Sequence, residues 1–274
     1  MKFAYQIATE ELPYDPTMTC YQGKLEKSLA DIASFGYNAV ELMTTDPSTY
    51  DWATVKKLVE KNGLSVSLIC TGEVGRLGYT FTSPDENVRR ETMRRTKELI
   101  DLAAYMGANI NAGLLRGKRW PGNTEEQTER YEIEGFREVC DYAAQKGVSF
   151  ALETGAFVFT NYLNTLGEAL DIVKKVDRPN LMLMLDLFHL YVEEPDYIEA
   201  IKTYAPYNLH VHLADNNRMY PGACGIDFEK VIRTFHDTGF DGTYTVEVRQ
   251  EPDQHTAASK AAEHLLPILK KIYG

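Results

Sequence analysis

Short apolar runs and longer helical patterns alternate along the whole chain. The apolar runs are four to six residues long and are often apolar on both faces, a pattern typical of buried parallel strands. Eight such runs predict eight strands: Phe3–Ile7, Ala39–Met43, Ser65–Cys70, Asn109–Ala112, Ser149–Glu153, Leu181–Leu185, Leu209–Leu213 and Thr243–Val248. Helical patterns lie between and after them, among them Thr54–Lys61, Glu125–Gln145, Phe228–Asp237 and Thr256–Lys271.

Several helix ends are marked by residues that favour helix termini. The segment Ser83-Pro84-Asp85-Glu86 predicts a helix that begins with a capping box, in which Ser83 is the N-cap and Glu86 bonds back to it. Glycines just beyond the helical stretches predict left-handed C-caps: Gly63, Gly107, Gly147 and Gly239. Capped helices between short strands indicate a repeated strand–helix unit.

Eight strand–helix units fit the length of 274 residues. Right-handed crossovers allow either an open doubly wound sheet or a closed eight-fold barrel. The barrel has a typical size of about 250 residues, and no composition break or linker indicates a second domain. We therefore predict an α/β protein with a (β/α)8 TIM barrel fold, eight parallel strands inside outer helices, as a single domain over residues 1–274.

Charge and composition then exclude several classes of partner. The chain carries 29 Lys and Arg against 40 Asp and Glu, and this formal net charge of -11 argues against nucleic acid. No segment approaches the roughly 18 continuous apolar residues of a membrane span, and the N-terminus lacks a signal-peptide pattern. We therefore expect no membrane association and a cytoplasmic location. The four cysteines lie far apart and predict no disulfide framework.

Polar residues stand at the ends of four consecutive predicted strands. Glu153 ends the fifth, Asp186 follows the sixth, His212 lies in the seventh and Glu247 lies in the eighth. In a barrel, chemistry gathers at these carboxyl ends. Each residue alone is interpreted as a salt bridge or a helix cap, but together they predict a divalent metal site. Its oxygen-rich ligands suit Mn²⁺, Mg²⁺ or Co²⁺, and Zn²⁺ is an alternative.

One basic loop follows the fourth predicted strand. It runs from Leu115 to Trp120 and contains Arg116. Arg116 could anchor a substrate phosphate or carboxylate, and Trp120 could stack on a sugar face; a solvated loop is an equally weighted interpretation. His210, which alternates with His212, is interpreted as a hydrogen-bonded core histidine.

The motifs at the later strand ends resemble a known family. They are Asp186-Leu187-Phe188-His189, His212-Leu213-Ala214-Asp215-Asn216-Asn217-Arg218, Gly225-Ile226-Asp227-Phe228 and Val246-Glu247. With these motifs, and over essentially its whole length, the chain resembles the xylose-isomerase-like barrel superfamily of sugar isomerases and epimerases, which also contains endonuclease IV. Leu163-Asn164-Thr165 also resembles the ketose 3-epimerases and hydroxypyruvate isomerases.

The resemblance implies a set of ligands and substrate contacts. One divalent ion, Mn²⁺ in the first place, would be bound by four residues: Glu153, Asp186, His212 and Glu247. His189 and Arg218 would hold substrate oxygens. Glu41 matches a common family glutamate that contacts substrate, with a salt bridge as the equal alternative, and Asp227 could be only a helix N-cap. A homo-oligomer, a dimer or a tetramer, is the family-level expectation.

The chemistry that the resemblance implies is proton transfer next to the carbonyl of a sugar or sugar phosphate. A metal on the carbonyl and hydroxyl oxygens would stabilise the enediolate. Glu153 and Glu247 would flank the reacting carbon as acid and base, which gives epimerisation at C3. If the proton moves between C1 and C2, the same site is an aldose–ketose isomerase. His189 and Arg218 would donate hydrogen bonds to the developing oxyanion.

The sequence departs from the family pattern at two places. Ketose 3-epimerases carry Asn-Arg-Phe-Glu after the fifth strand, whereas this chain reads Ala156-Phe157-Val158-Phe159, with Phe159 in place of a substrate-binding glutamate. The histidines of the endonuclease branch are absent around Cys70 and Ala112. The alternatives are an inosose-type dehydratase on the same fold, a non-catalytic sugar- or metal-binding relative and, last, an endonuclease IV-like nuclease.

Overall fold

Eight parallel strands form a closed barrel in chain order, in a computed structural model that describes all 274 residues. The strands are β1 (Lys2–Ala8), β2 (Ala39–Met43), β3 (Ser65–Cys70), β4 (Asn109–Ala112), β5 (Phe150–Glu153), β6 (Leu181–Asp186), β7 (Asn208–Leu213) and β8 (Thr243–Val246). β8 pairs with β1 and closes the cylinder. The predicted (β/α)8 TIM barrel is confirmed.

Ten α-helices connect and surround the strands. They are α1 (Leu25–Ser34), α2 (Trp52–Lys61), α3 (Gly72–Arg76), α4 (Glu86–Met106), α5 (Glu125–Ala144), α6 (Leu166–Val176), α7 (Leu187–Glu193), α8 (Tyr197–Tyr204), α9 (Phe228–Asp237) and α10 (Gln254–Tyr273). Short 3-10 helices cover Pro47–Thr49, Leu114–Arg116 and Ala205–Tyr207. None of the helices has both the length and the apolar content that crossing a bilayer requires.

The start of α4 differs from the prediction. Ser83 is not the N-cap: the Asp85 side chain accepts the Asn87 N–H at 2.8 Å, and the helix begins at Glu86. Ser83 Oγ accepts the N–H of Asp85 at 3.3 Å, one turn of chain before the helix. The predicted capping box was wrong because Asp85, the last residue with extended backbone, offers its own carboxylate to the first turn. Two other termini do have capping boxes, at Thr124 and Thr165.

Side chains on both faces of the strands are buried, which explains the doubly apolar runs. The outer faces of the strands pack against the helices in one large apolar cluster that includes Phe3, Phe136 and Leu265. Inside the barrel, Leu68 and Met184 belong to a small separate cluster. The interior becomes polar toward the carboxyl ends of the strands, so the functional groups lie above a layer of packed apolar side chains.

A candidate metal centre at the carboxyl end of the barrel

Four strand ends bring three carboxylates and one imidazole together. Glu153 is the last residue of β5, Asp186 the last of β6, and Glu247 directly follows β8. Asp186 is in register with His212 on the adjoining strand β7. One ligand atom from each of the four residues lies within 4.8 Å of the others. The barrel thus brings together the residues for which the sequence predicts a metal site.

The Nδ1 atom of His212 faces all three carboxylates. It lies 3.1 Å from Glu247 Oε2, 3.4 Å from Glu153 Oε1 and 3.5 Å from Asp186 Oδ2. The atom is buried, and although these oxygens are near, none of them lies in a direction that forms a hydrogen bond with it. Buried polar atoms are normally satisfied, so an unpaired nitrogen among anionic oxygens needs an explanation. A cation among these four donors satisfies all of them, and the residues present therefore fit a divalent ion.

The opposite nitrogen of the same ring is held by Glu41. Nε2 of His212 lies 2.9 Å from Glu41 Oε2, and Gln6 Nε2 donates to the other carboxylate oxygen of Glu41 at 2.8 Å. Burial alone would raise the pKa of Glu41, but His212 and His210 outweigh it and hold that pKa well below its usual range. Glu41 is completely buried and does not line the cavity above the site. The structure therefore places it behind His212, where it orients the ring.

His210 occupies the layer below His212, with its ring beside that of His212. Its Nε2 lies 2.7 Å from Thr245 Oγ1 and 3.3 Å from Glu41 Oε2. Burial lowers the pKa of His210 despite the neighbouring Glu41 carboxylate. These contacts match those of a hydrogen-bonded core histidine.

Arg218 extends over the carboxylates from the loop after β7. Its Nη1 donates to Asp186 at 2.9 and 2.8 Å, and its Nη2 donates to Glu247. Burial works against ionisation of Asp186, yet Arg218 and His189 keep its pKa well below the usual range. The backbone of Arg218 is in the left-handed region, with φ 63°. A non-glycine residue in this conformation is strained, and such strain is common where a side chain must be aimed at a functional site.

His189 lies at the edge of the four-residue cluster, in the first turn of α7. Its Nδ1 accepts the backbone N–H of Ala156 at 3.2 Å, and its Nε2 lies 4.0 Å from Asp186 Oδ2. Burial lowers the pKa of His189 to about 4, despite the opposing charge of Asp186. The ring is then neutral at pH 7, and because Nδ1 is an acceptor, the proton is on Nε2. His189 therefore presents a hydrogen-bond donor to the cavity.

The basic loop after β4 divides into a buried and an exposed part. Arg116 is 2 % exposed, and it donates to the carbonyl of Gly113 at 2.6 Å and to that of Tyr162 at 3.3 Å. It lines the cavity above the site, whereas Trp120 does not. Trp120 instead lies under Lys118, whose Nζ is 4.2 Å from the ring centroid. Of the two loop residues predicted to bind substrate, only Arg116 is therefore within the cavity.

The cavity itself has a volume of about 610 Å³ and opens on the carboxyl face of the barrel. Glu153, Glu247, His189 and Arg218 all line it. Phe159 lines its mouth and is 59 % exposed, with its ring centroid 6.0 Å from that of His189. An aromatic ring at this place can contact the apolar face of a ring or chain of carbons.

Two residues that position the site were missed by sequence reasoning. Thr19 Oγ1 donates to Glu247 Oε1 at 3.0 Å from the loop after β1. Asp215 is completely buried, and its carboxylate accepts five backbone N–H groups, those of Asn216, Gly222, Cys224, Gly225 and Ile226. It therefore holds together the loop that carries Arg218. The sequence does show an acidic residue just after the seventh strand at Asp215. It does not reveal whether such a carboxylate binds backbone N–H groups or a ligand.

Comparison with known proteins places this architecture in a family. Residues 29–268 match the family model described as xylose isomerase-like TIM barrel. The chain belongs to the xylose isomerase-like TIM barrel family. The match spans all strands except β1, and it includes every candidate metal ligand.

Within this family, the chain is similar to ketose 3-epimerases. It is 28% identical to a D-psicose 3-epimerase of Ruminiclostridium cellulolyticum over 225 residues, which is 79% of this chain and 75% of the relative. It is 26% identical to an L-ribulose 3-epimerase of Methylomonas, covering 81% of this chain and 77% of the relative. The crystal structure of a D-psicose 3-epimerase with D-tagatose from Clostridium cellulolyticum H10 superposes with a TM-score of 0.81 at 22% identity, over 99% of each chain.

Proposed function

We propose that the protein is a metal-dependent isomerase or epimerase of a sugar or sugar phosphate, which moves a proton at a carbon next to a ketose carbonyl. The observation that carries this proposal is the unpaired Nδ1 of His212 among the carboxylates of Glu153, Asp186 and Glu247. The similarity to ketose 3-epimerases supports the reaction class.

The proposed cation is held by Glu153, Asp186, His212 and Glu247. Such an ion, when bound, polarises a carbonyl oxygen and thereby acidifies the proton on the neighbouring carbon. Mn²⁺ is the first candidate because three of the four ligands are carboxylates, and Mg²⁺, Co²⁺ and Zn²⁺ follow.

The proton transfer is assigned to Glu153 and Glu247. Both carboxylates line the cavity, so a substrate carbon can lie within reach of each of them. One removes the proton, and the other returns it from the opposite face, which inverts the carbon. The hydrogen bond from Thr19 to Oε1 at 3.0 Å restricts the rotation of the Glu247 carboxylate.

We assign the binding of the substrate oxygens to His189 and Arg218. The neutral His189 offers its Nε2–H, a donor that needs no reorganisation when charge develops on a substrate oxygen. Arg218 forms ion pairs with Asp186 and Glu247, and its guanidinium can share its hydrogen bonds with a substrate hydroxyl.

A dehydratase with the same first step is the second candidate, because removal of a proton next to a carbonyl also begins loss of water. A non-catalytic sugar- or metal-binding relative is the third. A nuclease is the last, since the formal net charge of -11 repels a phosphate backbone.

The test is a panel of ketoses and ketose phosphates in D₂O, followed by NMR with Mn²⁺ supplied. We expect deuterium at one substrate carbon and formation of an epimer or an isomer. Glu247→Gln should abolish exchange with the fold retained by circular dichroism, whereas Glu134→Gln, an exposed carboxylate on α5, should exchange like wild type. Loss of water would identify the dehydratase, and deuterium in no substrate would refute catalysis. Cleavage of an abasic-site DNA would instead identify the nuclease.

A further inference from the structure

Four arginines line the cavity, and they differ in what their side chains bind. Arg218 is bound by Asp186 and Glu247. Arg76 forms ion pairs with Asp15 and Glu73, at 3.5 and 3.1 Å. Arg116 is buried and donates to backbone carbonyls.

Arg249 is the fourth, and its side chain forms neither a hydrogen bond nor an ion pair. It is exposed and lines the cavity at the rim. Its backbone, in contrast, is held firmly, since its N–H donates to the carbonyl of Arg218 at 2.8 Å and the preceding Val248 N–H donates to Thr19 at 3.1 Å. The backbone of Arg249 is therefore fixed, while its guanidinium is free to bind a group that enters the cavity.

We propose that Arg249 binds an anionic group of the substrate, a phosphate monoester or a carboxylate. This inference rests on the proposed function and specifies its substrate class. A guanidinium binds either group by paired, charge-assisted hydrogen bonds, so the two share one recognition chemistry.

The position of Arg249 determines which end of the substrate carries the charge. Arg249 follows Glu247 by two residues, which is about 7 Å along an extended chain. Its backbone runs beside the loop after β1, where the carbonyl of Thr19 accepts the Val248 N–H, and Thr17 and Thr19 of that loop also line the cavity. The anionic group is thus several bonds away from the carbon that reacts between Glu153 and Glu247. The carbonyl and the charge lie at opposite ends of the substrate.

The charges around the cavity no longer oppose an anion once the cation site is filled. Four glutamates line it, Glu73, Glu153, Glu247 and Glu251, and they balance the four arginines. Asp186 and Glu41 add two negative charges beneath them, and a divalent ion adds two positive charges, so these charges cancel when the ion is bound. Glu251 lines the same rim but forms no ion pair with Arg249, so the arginine is not already neutralised.

The experiment compares three probes that differ only in their terminal group: D-fructose, D-fructose 6-phosphate and D-fructuronate. Binding to the Mn²⁺-loaded protein is measured by isothermal titration calorimetry, and deuterium exchange is followed by NMR. The variants are Arg249→Gln and the matched control Arg130→Gln, which removes an exposed arginine on α5 that lies outside the cavity.

We expect at least one anionic probe to bind more tightly than D-fructose. Arg249→Gln should weaken that binding roughly tenfold or more, and Arg130→Gln should leave it unchanged. Comparison of the affinities for D-fructose 6-phosphate and D-fructuronate identifies which anion the site prefers. Preference for D-fructose, or equal weakening by both variants, would overturn the anion subsite while leaving the isomerase proposal intact. Absence of deuterium exchange with these probes and with every ketose and ketose phosphate of the panel would contradict the proposed function instead.

Discussion

Nε2 of His212 lies 2.9 Å from Oε2 of Glu41, and both side chains are completely buried inside the barrel. The contact fixes the rotation of the imidazole, so Nδ1 faces the three carboxylates rather than the barrel wall. Gln6 donates to the other oxygen of Glu41 and completes the support. A ligand ring supported by a carboxylate is a common arrangement in metal proteins, where the support raises the basicity of the ligand.

Glu41→Gln should weaken binding of the divalent ion by about 10- to 100-fold, because the amide retains the size of the carboxylate but not the charge that supports the imidazole. Calorimetric titration of the metal-free protein with Mn²⁺ measures the effect. Glu73→Gln is the matched control, since it removes a carboxylate that lines the same cavity without contacting His212. Equal affinities for Glu41→Gln and wild type would show that Glu41 does not support the site.

Purified protein should contain about one divalent ion per chain, consistent with a single four-residue site. Elemental analysis measures the content, and prolonged treatment with a chelator should remove both the ion and the deuterium exchange. Addition of Mn²⁺ should restore the exchange. Full activity after complete removal of metal would contradict the site, and so would a purified protein without bound metal whose activity a chelator leaves unchanged.

Asp215→Ala should lower the free energy of unfolding by about 3 kcal/mol, because the substitution leaves five backbone N–H groups without their acceptor. Urea denaturation measures the loss. Asp227→Ala is the matched control: Asp227 is the N-cap of α9, where its side chain accepts the Lys230 N–H at 3.0 Å, and loss of such a cap costs about 1 kcal/mol. If the two variants lose the same free energy of unfolding, the five hydrogen bonds accepted by Asp215 stabilise the loop no more than a single N-cap stabilises a helix.

A buried carboxyl outside the candidate metal centre should make a contribution to stability that decreases as the pH rises. Burial raises the pKa of Glu132 from 4.5 to about 8, although Tyr162 donates to one of its oxygens at 2.5 Å. Between these two pH values the folded chain holds a proton that the unfolded chain has lost, so the free energy of unfolding decreases as the pH increases. The contribution is fully present below about pH 4.5 and is lost through about pH 8.

Glu132→Gln tests this pH dependence because the amide cannot titrate. Urea denaturation of both proteins at pH 5, 6.5 and 8 should show the variant gaining stability relative to wild type as the pH rises. A constant difference between the two proteins across this range would mean that Glu132 ionises as easily in the folded chain as in the unfolded one.

The predictions from sequence were most accurate where the local pattern alone decides the structure. The bounds of β2, β3 and β4 agree with the predicted runs to the residue. Short runs rich in apolar residues are typical of strands with two buried faces, although these strands also bury the polar residues Glu41, Ser67 and Asn111. The prediction was wrong at Ser83, where two polar residues compete for one helix terminus and only the backbone angles decide between them.

For the candidate site, the sequence indicated which residues converge but not what each contacts. The barrel brings Glu153, Asp186, His212 and Glu247 within reach of one ion because all four lie at the same end of neighbouring strands, a fact that follows from strand order. The same strand order did not distinguish Glu41 from these four, although its side chain lies behind the imidazole. Arg116 and Trp120 are four residues apart in one loop, yet one is buried in the cavity and the other is outside it.

The sequence by itself therefore determined the barrel and the set of candidate ligands. Hydrophobic periodicity and the order of the strands can both be read directly from the order of residues along the chain. Tertiary structure alone decided what each residue contacts. It left Nδ1 of His212 without a hydrogen bond, gave Asp215 five backbone N–H groups to bind, and left the guanidinium of Arg249 without a partner. The physical reason is that a hydrogen bond or an ion pair depends on distance and direction within a few tenths of an ångström. Residues far apart in the chain acquire such geometry only when the closed barrel packs their loops against one another.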